Sequence, residues 1–222
     1  MNVRVTRLLD GARGATGHAV IVDVFRAFTT AAFCVAAGAR AIVLVSDHEQ
    51  ALAMKRDDPR LFLTGEIGGR RIDGFDAGNS PSVIEHLDLT GRRVVQRTSA
   101  GTQGVTAAIG ARAILLGSLV IAGATVRYLR ARADDVTVVA MGNNGTAQSD
   151  EDEACARHLA ERLAGRNSDI AEVIAKMWAN EDPNWPEWFP RRDAELALEL
   201  DRFDFALPVT REDGLLVARP VR

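Results

Sequence analysis

Polar residues able to do chemistry follow short apolar runs at several points along this chain. The run His18–Val22 leads into Asp23, Arg26, Thr29 and Thr30. Residues 61–63 lead into Thr64, Gly65 and Glu66, then Gly68 and Gly69. Residues 93–96 are followed by Thr98, Ser99, Gly101 and Thr102, residues 113–116 by Gly117 and Ser118, and residues 136–140 by Gly142, Asn143, Asn144 and Gly145. Glycine, serine and threonine serve any turn, so one such loop says little. Their recurrence after successive runs points to a site assembled from loops. The chemistry it suits is anion binding, phosphate above all, because free N–H groups at helix starts can meet the oxygens. Asp23, Glu66, Asp76, Glu151 and Asp152 are oxygen donors of the kind Mg²⁺ takes, and Arg26 can fork onto an oxyanion. A metal-bound water, or a carboxylate acting directly, would then attack phosphorus. The acids at 149–153 also read as a helix start that complements the helix dipole.

These loops need a frame. The apolar runs at 18–22, 41–45, 61–63, 93–96, 113–116 and 136–140 are rich in Val, Ile and Leu and show little alternation. Such runs suit strands buried on both faces, as in parallel sheets. Helical stretches are expected at 27–37, stopped by Gly38, at 47–55 with Asp47 as cap, and at 105–109, 122–131, 149–164 and 193–200. Two short strands are expected at 206–209 and 215–219. The alternation predicts a three-layer α/β/α fold with a mainly parallel or mixed sheet. In a parallel sheet the polar loops would all emerge on one edge, outside the carboxyl ends of the strands. The segment GGRRIDGFDAGNSPS, residues 68–82, has neither strand nor helix period, and long loops in compact domains tend to be functional. Within it, Ser80 reads as an N-cap and Pro81 as the first helical residue. Trp178, Trp185 and Trp188 fall in the Trp/Pro-rich run MWANEDPNWPEWFPRRD, read as a packed loop or cap, with a lid over the site as the sharper alternative.

Bulk properties narrow the class. The chain has 222 residues, 47% of them hydrophobic, which predicts one compact domain over 1–222, with two intimate lobes as the alternative. A net charge of -3, from 27 basic and 30 acidic residues, argues against a nucleic-acid partner. The pairs Arg70–Arg71, Arg92–Arg93 and Arg191–Arg192 read as solvated surface charge. Cys34 and Cys155 read as buried small hydrophobes in a reducing compartment. No apolar run reaches the ~18 residues of a membrane span, and the first residues lack a signal-peptide core, so a cytoplasmic protein is expected. The four histidines are scattered, and no HExxH, paired CxxC, GxSxG or Walker loop occurs. A homodimer is the default oligomer.

Several motifs together resemble one family. DVFRAFTTAAFCVAAGA, GEIGGRRIDGFDAGNSPS, TSAGTQG, GSLV and SDEDEACA occur in the order expected for the ComB-type 2-phosphosulfolactate phosphatases. The resemblance covers about residues 18 to 165, extended by the weaker match DRFDFALPV. It implies a Mg²⁺-dependent phosphoric monoester hydrolase that takes 2-phospho-3-sulfolactate to 3-sulfolactate and phosphate, a step of coenzyme M biosynthesis. It carries over onto Asp23, Arg26, Thr29, Thr30, Glu66, Gly69, Asp76, Asn79, Ser80, Thr98, Gly101, Thr102, Ser118, Glu151 and Asp152. Of these, Asp23, Glu66, Asp76 and Asp152 are assigned to metal or nucleophile work and Arg26 to the substrate anion. Ser99, inside TSAGT, joins the phosphate-binding set. One departure stands out: Ile121, in GSLVIAGA, occupies a position where the family pattern carries Asn. An apolar side chain makes none of an amide's hydrogen bonds. That departure keeps two alternatives open, a non-catalytic binder or sensor of a phosphorylated metabolite and a Mg²⁺-dependent phosphatase with a different substrate.

Overall fold

A computed structural model describes residues 1–179, 186 and 188–222. Trp185 therefore lies outside the described residues. The strands are β1 (Asn2–Arg7), β2 (His18–Val22), β3 (Ala41–Leu44), β4 (Phe62–Ile67), β5 (Arg70–Arg71), β6 (Arg93–Arg97), β7 (Ala113–Gly117), β8 (Asp135–Ala140), β9 (Leu207–Glu212) and β10 (Leu215–Ala218). The helices are α1 (Leu8–Arg13), α2 (Ala27–Ala36), α3 (His48–Asp57), α4 (Pro81–Ile84), α5 (Gly101–Ala107), α6 (Ala122–Arg130), α7 (Asp150–Leu163), α8 (Ile170–Ala179) and α9 (Arg191–Ala197).

Why these runs become central strands is visible in β2. All five of its residues are buried, and alternate side chains enter different clusters. Ala19 and Ile21 pack with Phe28 and Phe33 of α2, while Val20 and Val22 pack with Leu129 of α6 and Leu159 of α7. A strand covered on both faces needs a run of apolar residues, which residues 19–22 supply after His18 at the strand's start. The result is the expected three-layer α/β arrangement, with helices on both faces of a mixed, mostly parallel sheet.

The strand order is β1-β8-β2-β7-β9-β10-β3-β6-β4-β5. Strands β1, β8, β2 and β7 form one parallel block, and β3, β6 and β4 form another. The antiparallel hairpin β9–β10 sits between them, pairing with β7 on one side and β3 on the other. Three successive antiparallel pairings reverse direction, so the two blocks run opposite ways. This corrects the expectation that all polar loops leave a single sheet edge. Each block has its own carboxyl edge. Strand twist accumulates across the pairings between them, and the loops after β2 and β8 meet those of β4 and β6 in one cavity.

Several elements depart from the sequence reading, among them helix α1 and the short strand β5, which were not anticipated. Strand β1 alternates polar and apolar residues at the sheet's outer position, so it lacks the continuous run of a central strand. Helix α8 was not anticipated, and α5 begins four residues before the expected start at 105. Its first residues, GTQG, have poor helix propensity. The start is held instead by Thr98 and Thr102: the Thr98 N–H donates to the Thr102 hydroxyl at 2.8 Å, and the Thr102 N–H donates to the Thr98 hydroxyl at 3.1 Å. Asp47 caps α3 as expected, accepting from the Glu49 N–H at 3.1 Å. No described helix is long and apolar enough to cross a membrane.

Candidate active site

Asp23 leaves β2 directly beneath a cavity of about 390 Å³. Its Oδ1 accepts from the Ala27 N–H at 2.9 Å, at the start of α2, and the Gly101 N–H at the start of α5 also donates to the carboxylate. The side chain is only 4% exposed. Burial first, and then the nearby charges of Glu66 and Glu151, raise its pKa to about 7, against the pull of those two N–H donors. Gly101 makes this seat possible. A methyl group there would lie 2.8 Å from Asp23 Oδ2, 2.8 Å from Ala27 Cβ and 2.9 Å from the Phe28 ring. Gly101→Ala is therefore expected to cost about 1–3 kcal/mol through overpacking, read as a lower urea midpoint; an unchanged midpoint would mean the seat yields freely.

Glu66, near the end of β4, ties two loops together. It accepts from the Gly69 N–H at 2.7 Å, the Ser99 N–H at 2.5 Å and the Ser99 hydroxyl at 3.1 Å. Asp152, in the first turn of α7, does the same on the other side. Its two oxygens accept from Val24 N–H at 2.7 Å and Gly142 N–H at 2.8 Å, joining the loops after β2 and β8. Burial, then the charges of Asp23 and Glu151, push its carboxyl well above the usual range. Glu151, one residue earlier, reaches the cavity, and burial raises it too. Asn79 lines the cavity at 5% exposure, and its Oδ1 has no hydrogen-bond partner among the described residues.

Arg26 forms the side wall with partners from distant segments. It pairs with Asp193 of α9 at 2.7 Å and donates to the carbonyls of Trp188 and Gly69, each at 3.2 Å. Its guanidinium lies over the Phe189 and Trp188 rings, 4.6 and 5.6 Å from their centroids. Asp193 is fully buried, and its other oxygen accepts from Ser80 Oγ at 2.8 Å, Ser82 N–H at 2.9 Å and Ser82 Oγ at 2.6 Å. Gly69, at φ +84°, leaves room for Trp188, whose ring would be 2.3 Å from any Cβ there. The tryptophan ring thus packs against Gly69 in the cavity lining.

Of the residues singled out from sequence, Asp23, Arg26, Glu66, Gly69, Asn79, Ser99 and Glu151 line this one cavity. The others are placed elsewhere. Asp76 is spent on Lys55, at 2.8 Å, and on the Leu63 N–H, at 2.7 Å, outside the cavity lining. Thr29 donates to the Val24 carbonyl and shares a 2.7 Å bond with Ser118, and both are fully buried. Thr30 is also fully buried. Thr98 and Thr102 bond each other, and Asp152 and Gly101 stand behind the cavity wall. Ser80 occupies the N-cap position of α4, but its hydroxyl turns to Asp193 and makes no cap bond. The N–H groups expected to greet an anion at helix starts are thus largely occupied by the protein's own carboxylates and hydroxyls. Ile121 is fully buried in the core and not part of the lining. The sequence reading did not assign Phe25, Asn143, Asn144, Phe189 or Asp193 to the site. Asn143 and Asn144 were legible as one of the strand-end loops; Asp193, an acid in a helix's first turn, carried no distinguishing signal.

Among the described residues no group of three or more His, Cys, Asp or Glu side chains converges into a ready-made metal cage. Three carboxylates do border the cavity, and its one lining arginine is already paired. Such a site is short of positive charge for an anionic ligand.

Comparison with known proteins gives a consistent result. Residues 6–205 match the family model described as 2-phosphosulpholactate phosphatase. Three similar proteins carry the name "Probable 2-phosphosulfolactate phosphatase". One from Gloeobacter violaceus is 36% identical over 168 residues, covering 74% of this chain and 71% of that protein. One from Deinococcus radiodurans is 38% identical over 135 residues, covering 60% and 56%. One from Thermoplasma volcanium is 32% identical over 200 residues, covering 89% and 92%.

Proposed function

The chain belongs to the 2-phosphosulpholactate phosphatase family of phosphoric monoester hydrolases, and from that membership we propose that it hydrolyses 2-phospho-3-sulfolactate to 3-sulfolactate and phosphate with the help of Mg²⁺. The observation that carries the reading is Asp23: a buried carboxyl, fixed by two helix starts, facing a small polar cavity together with Glu66 and Glu151. The volume of about 390 Å³ suits a small ester.

The donor set fits Mg²⁺. This ion is commonly held by one or two carboxylates, several waters and the substrate's own phosphate oxygens, so it needs no protein cage. Asp23 and Glu151 would hold it: both line the cavity, whereas Asp152 lies outside the lining and Glu66 already accepts three hydrogen bonds from the Gly69 and Ser99 loops. When bound, the ion offsets the charge of the phosphoryl group and makes water more acidic. The rest falls to the chain. Ala27 and Gly101 orient Asp23, and Glu66 holds the Gly68–Gly69 and Ser99 loops at the cavity. The side-chain NH2 groups of Asn79, Asn143 and Asn144, residues of the lining, would offer neutral donors to the oxyanions of the substrate. Phe25, Trp188 and Phe189 form the apolar part of the wall and shield the reacting bond from bulk water. In the reaction a water oxygen bonds to phosphorus, the bond from phosphorus to the ester oxygen breaks, and a proton ends on the released hydroxyl.

The test is phosphate release from 2-phospho-3-sulfolactate and a panel of phosphorylated hydroxy acids, with Mg²⁺ and with EDTA. Turnover with Mg²⁺ and its loss in EDTA are expected. Absence of release across the panel rejects the activity, and release undiminished by EDTA rejects the metal.

A further inference from the structure

A second cavity, of about 460 Å³, is lined by Arg40, Arg60, Arg92 and Arg93 together with Asp58 and Thr90. Arg40 precedes β3, Arg60 lies just before β4, and Arg92 and Arg93 stand at the start of β6. These are the amino ends of the second parallel block. Glu66 and Ser99 stand at its carboxyl ends, and at ~3.3 Å per strand residue the two cavities are separated by roughly 15 Å or more.

From sequence, Arg92–Arg93 read as solvated surface charge. The structure differs. Arg92 is oriented: its Nε donates to the Arg60 carbonyl at 3.1 Å, its Nη2 donates to the Leu61 carbonyl at 3.3 Å, and its guanidinium lies 5.3 Å from the Phe62 ring centroid. The Nε of Arg93 is buried with no partner among the described residues. The charges do not cancel locally. Asp58 is taken by Arg60, at 2.9 and 3.1 Å, and nearby Glu212 is taken by Arg219, at 2.8 and 2.9 Å. Arg40, Arg92 and Arg93 have no ion pair among the described residues and share one concave surface. Like charges gathered without counter-charge repel each other, and an anion seated among them removes that cost.

We propose that this cavity is a second anion-binding site, separate from the candidate active site, for a small oxyanion carrying at least two negative charges. Arg92, pre-oriented by its carbonyl and ring contacts, and Arg93, which lines the cavity and has no ion pair among the described residues, supply the specific donors. Arg40, exposed at the rim, supplies charge. The proposal does not depend on the phosphatase reading, because none of these residues lines the first cavity.

The probe is inorganic phosphate, added to the full chain in chelator while the arginine Nε–H signals are followed by NMR. Saturable shifts of the Arg92 and Arg93 signals are expected, weakened about tenfold or more by Arg40→Glu. Because Arg40 is exposed, its variant should keep the parent's amide spectrum; Arg93→Gln serves as a second variant. Signals that do not move, that move no more than in sodium chloride of equal ionic strength, or that move in both variants with the parent's affinity overturn the proposal. Phosphate at the first cavity would leave these signals in place, so the outcome is independent of whether that site hydrolyses esters.

Discussion

Asp23→Asn is expected to lower Mg²⁺-dependent phosphate release by on the order of 10²–10⁴-fold, the range typical of losing a group that acts at the reacting centre, while the chain stays folded. The amide keeps the shape of the carboxylate and can still accept from Ala27, but it cannot carry charge to a cation. A stability signature accompanies the loss. Asp23 has its pKa raised from 3.8 to about 7 in the folded chain. Between those values the folded state holds a proton that the unfolded state has released. Its stabilising effect is therefore full below about pH 4 and is lost as pH rises through about 7. A shift of some three units corresponds to at most about 4 kcal/mol. The parent in chelator should become less stable from pH 4 to pH 8, and Asp23→Asn should flatten that decline. Undiminished turnover, or the same pH dependence in both proteins, would remove Asp23 from its assigned place.

Asp193→Ala should give the largest loss of stability, about 3–5 kcal/mol, as expected when one partner of a buried ion pair is removed. Arg26 is 4% exposed and Asp193 fully buried, so the abandoned guanidinium is left largely out of water. The same change strips Ser80 and Ser82 of their shared acceptor. Urea unfolding of Asp193→Ala, Arg26→Met and the double variant forms a cycle. The double variant should be less damaged than the sum of the singles, because no lone charge remains buried. Additive losses would mean that the pair is not coupled. Turnover should fall as well, since Arg26 also anchors the carbonyls of Gly69 and Trp188 at the cavity rim.

Much of the frame could be read directly, for a physical reason. Strands buried on both faces are mostly apolar, so β2, β3, β6, β7 and β8 stood out as short runs rich in Val, Ile and Leu, and Asp23 stood out as the first polar residue after one of them. Edge strand β1, facing water at alternate positions, left no such run. The candidate site was legible only as a set of residue types. Thr98 and Thr102 have the composition of a phosphate loop, yet their hydroxyls are consumed in starting α5. Asp76 sits in a glycine-rich motif, but Lys55, brought beside it from α3, takes its charge. Asp193 looked like an ordinary first-turn acid, and its burial against Arg26, 167 positions away in sequence, depends on the fold between them. Local composition shows which groups are available. Which of them remain free for a ligand is decided by partners that arrive from elsewhere in the chain.

The hairpin β9–β10 has a consequence for how the chain reaches this structure. Its residues come after every other strand, yet it occupies the middle of the sheet. Until it docks, β7 and β3 each present an open hydrogen-bonding edge, and the two parallel blocks have no strand pairing with each other. Pairings that wait for distant residues slow folding, and exposed strand edges invite association with other chains. The last-made strands thus act as a keystone: during synthesis, the half-built sheet is held open along its centre line until they are set in place.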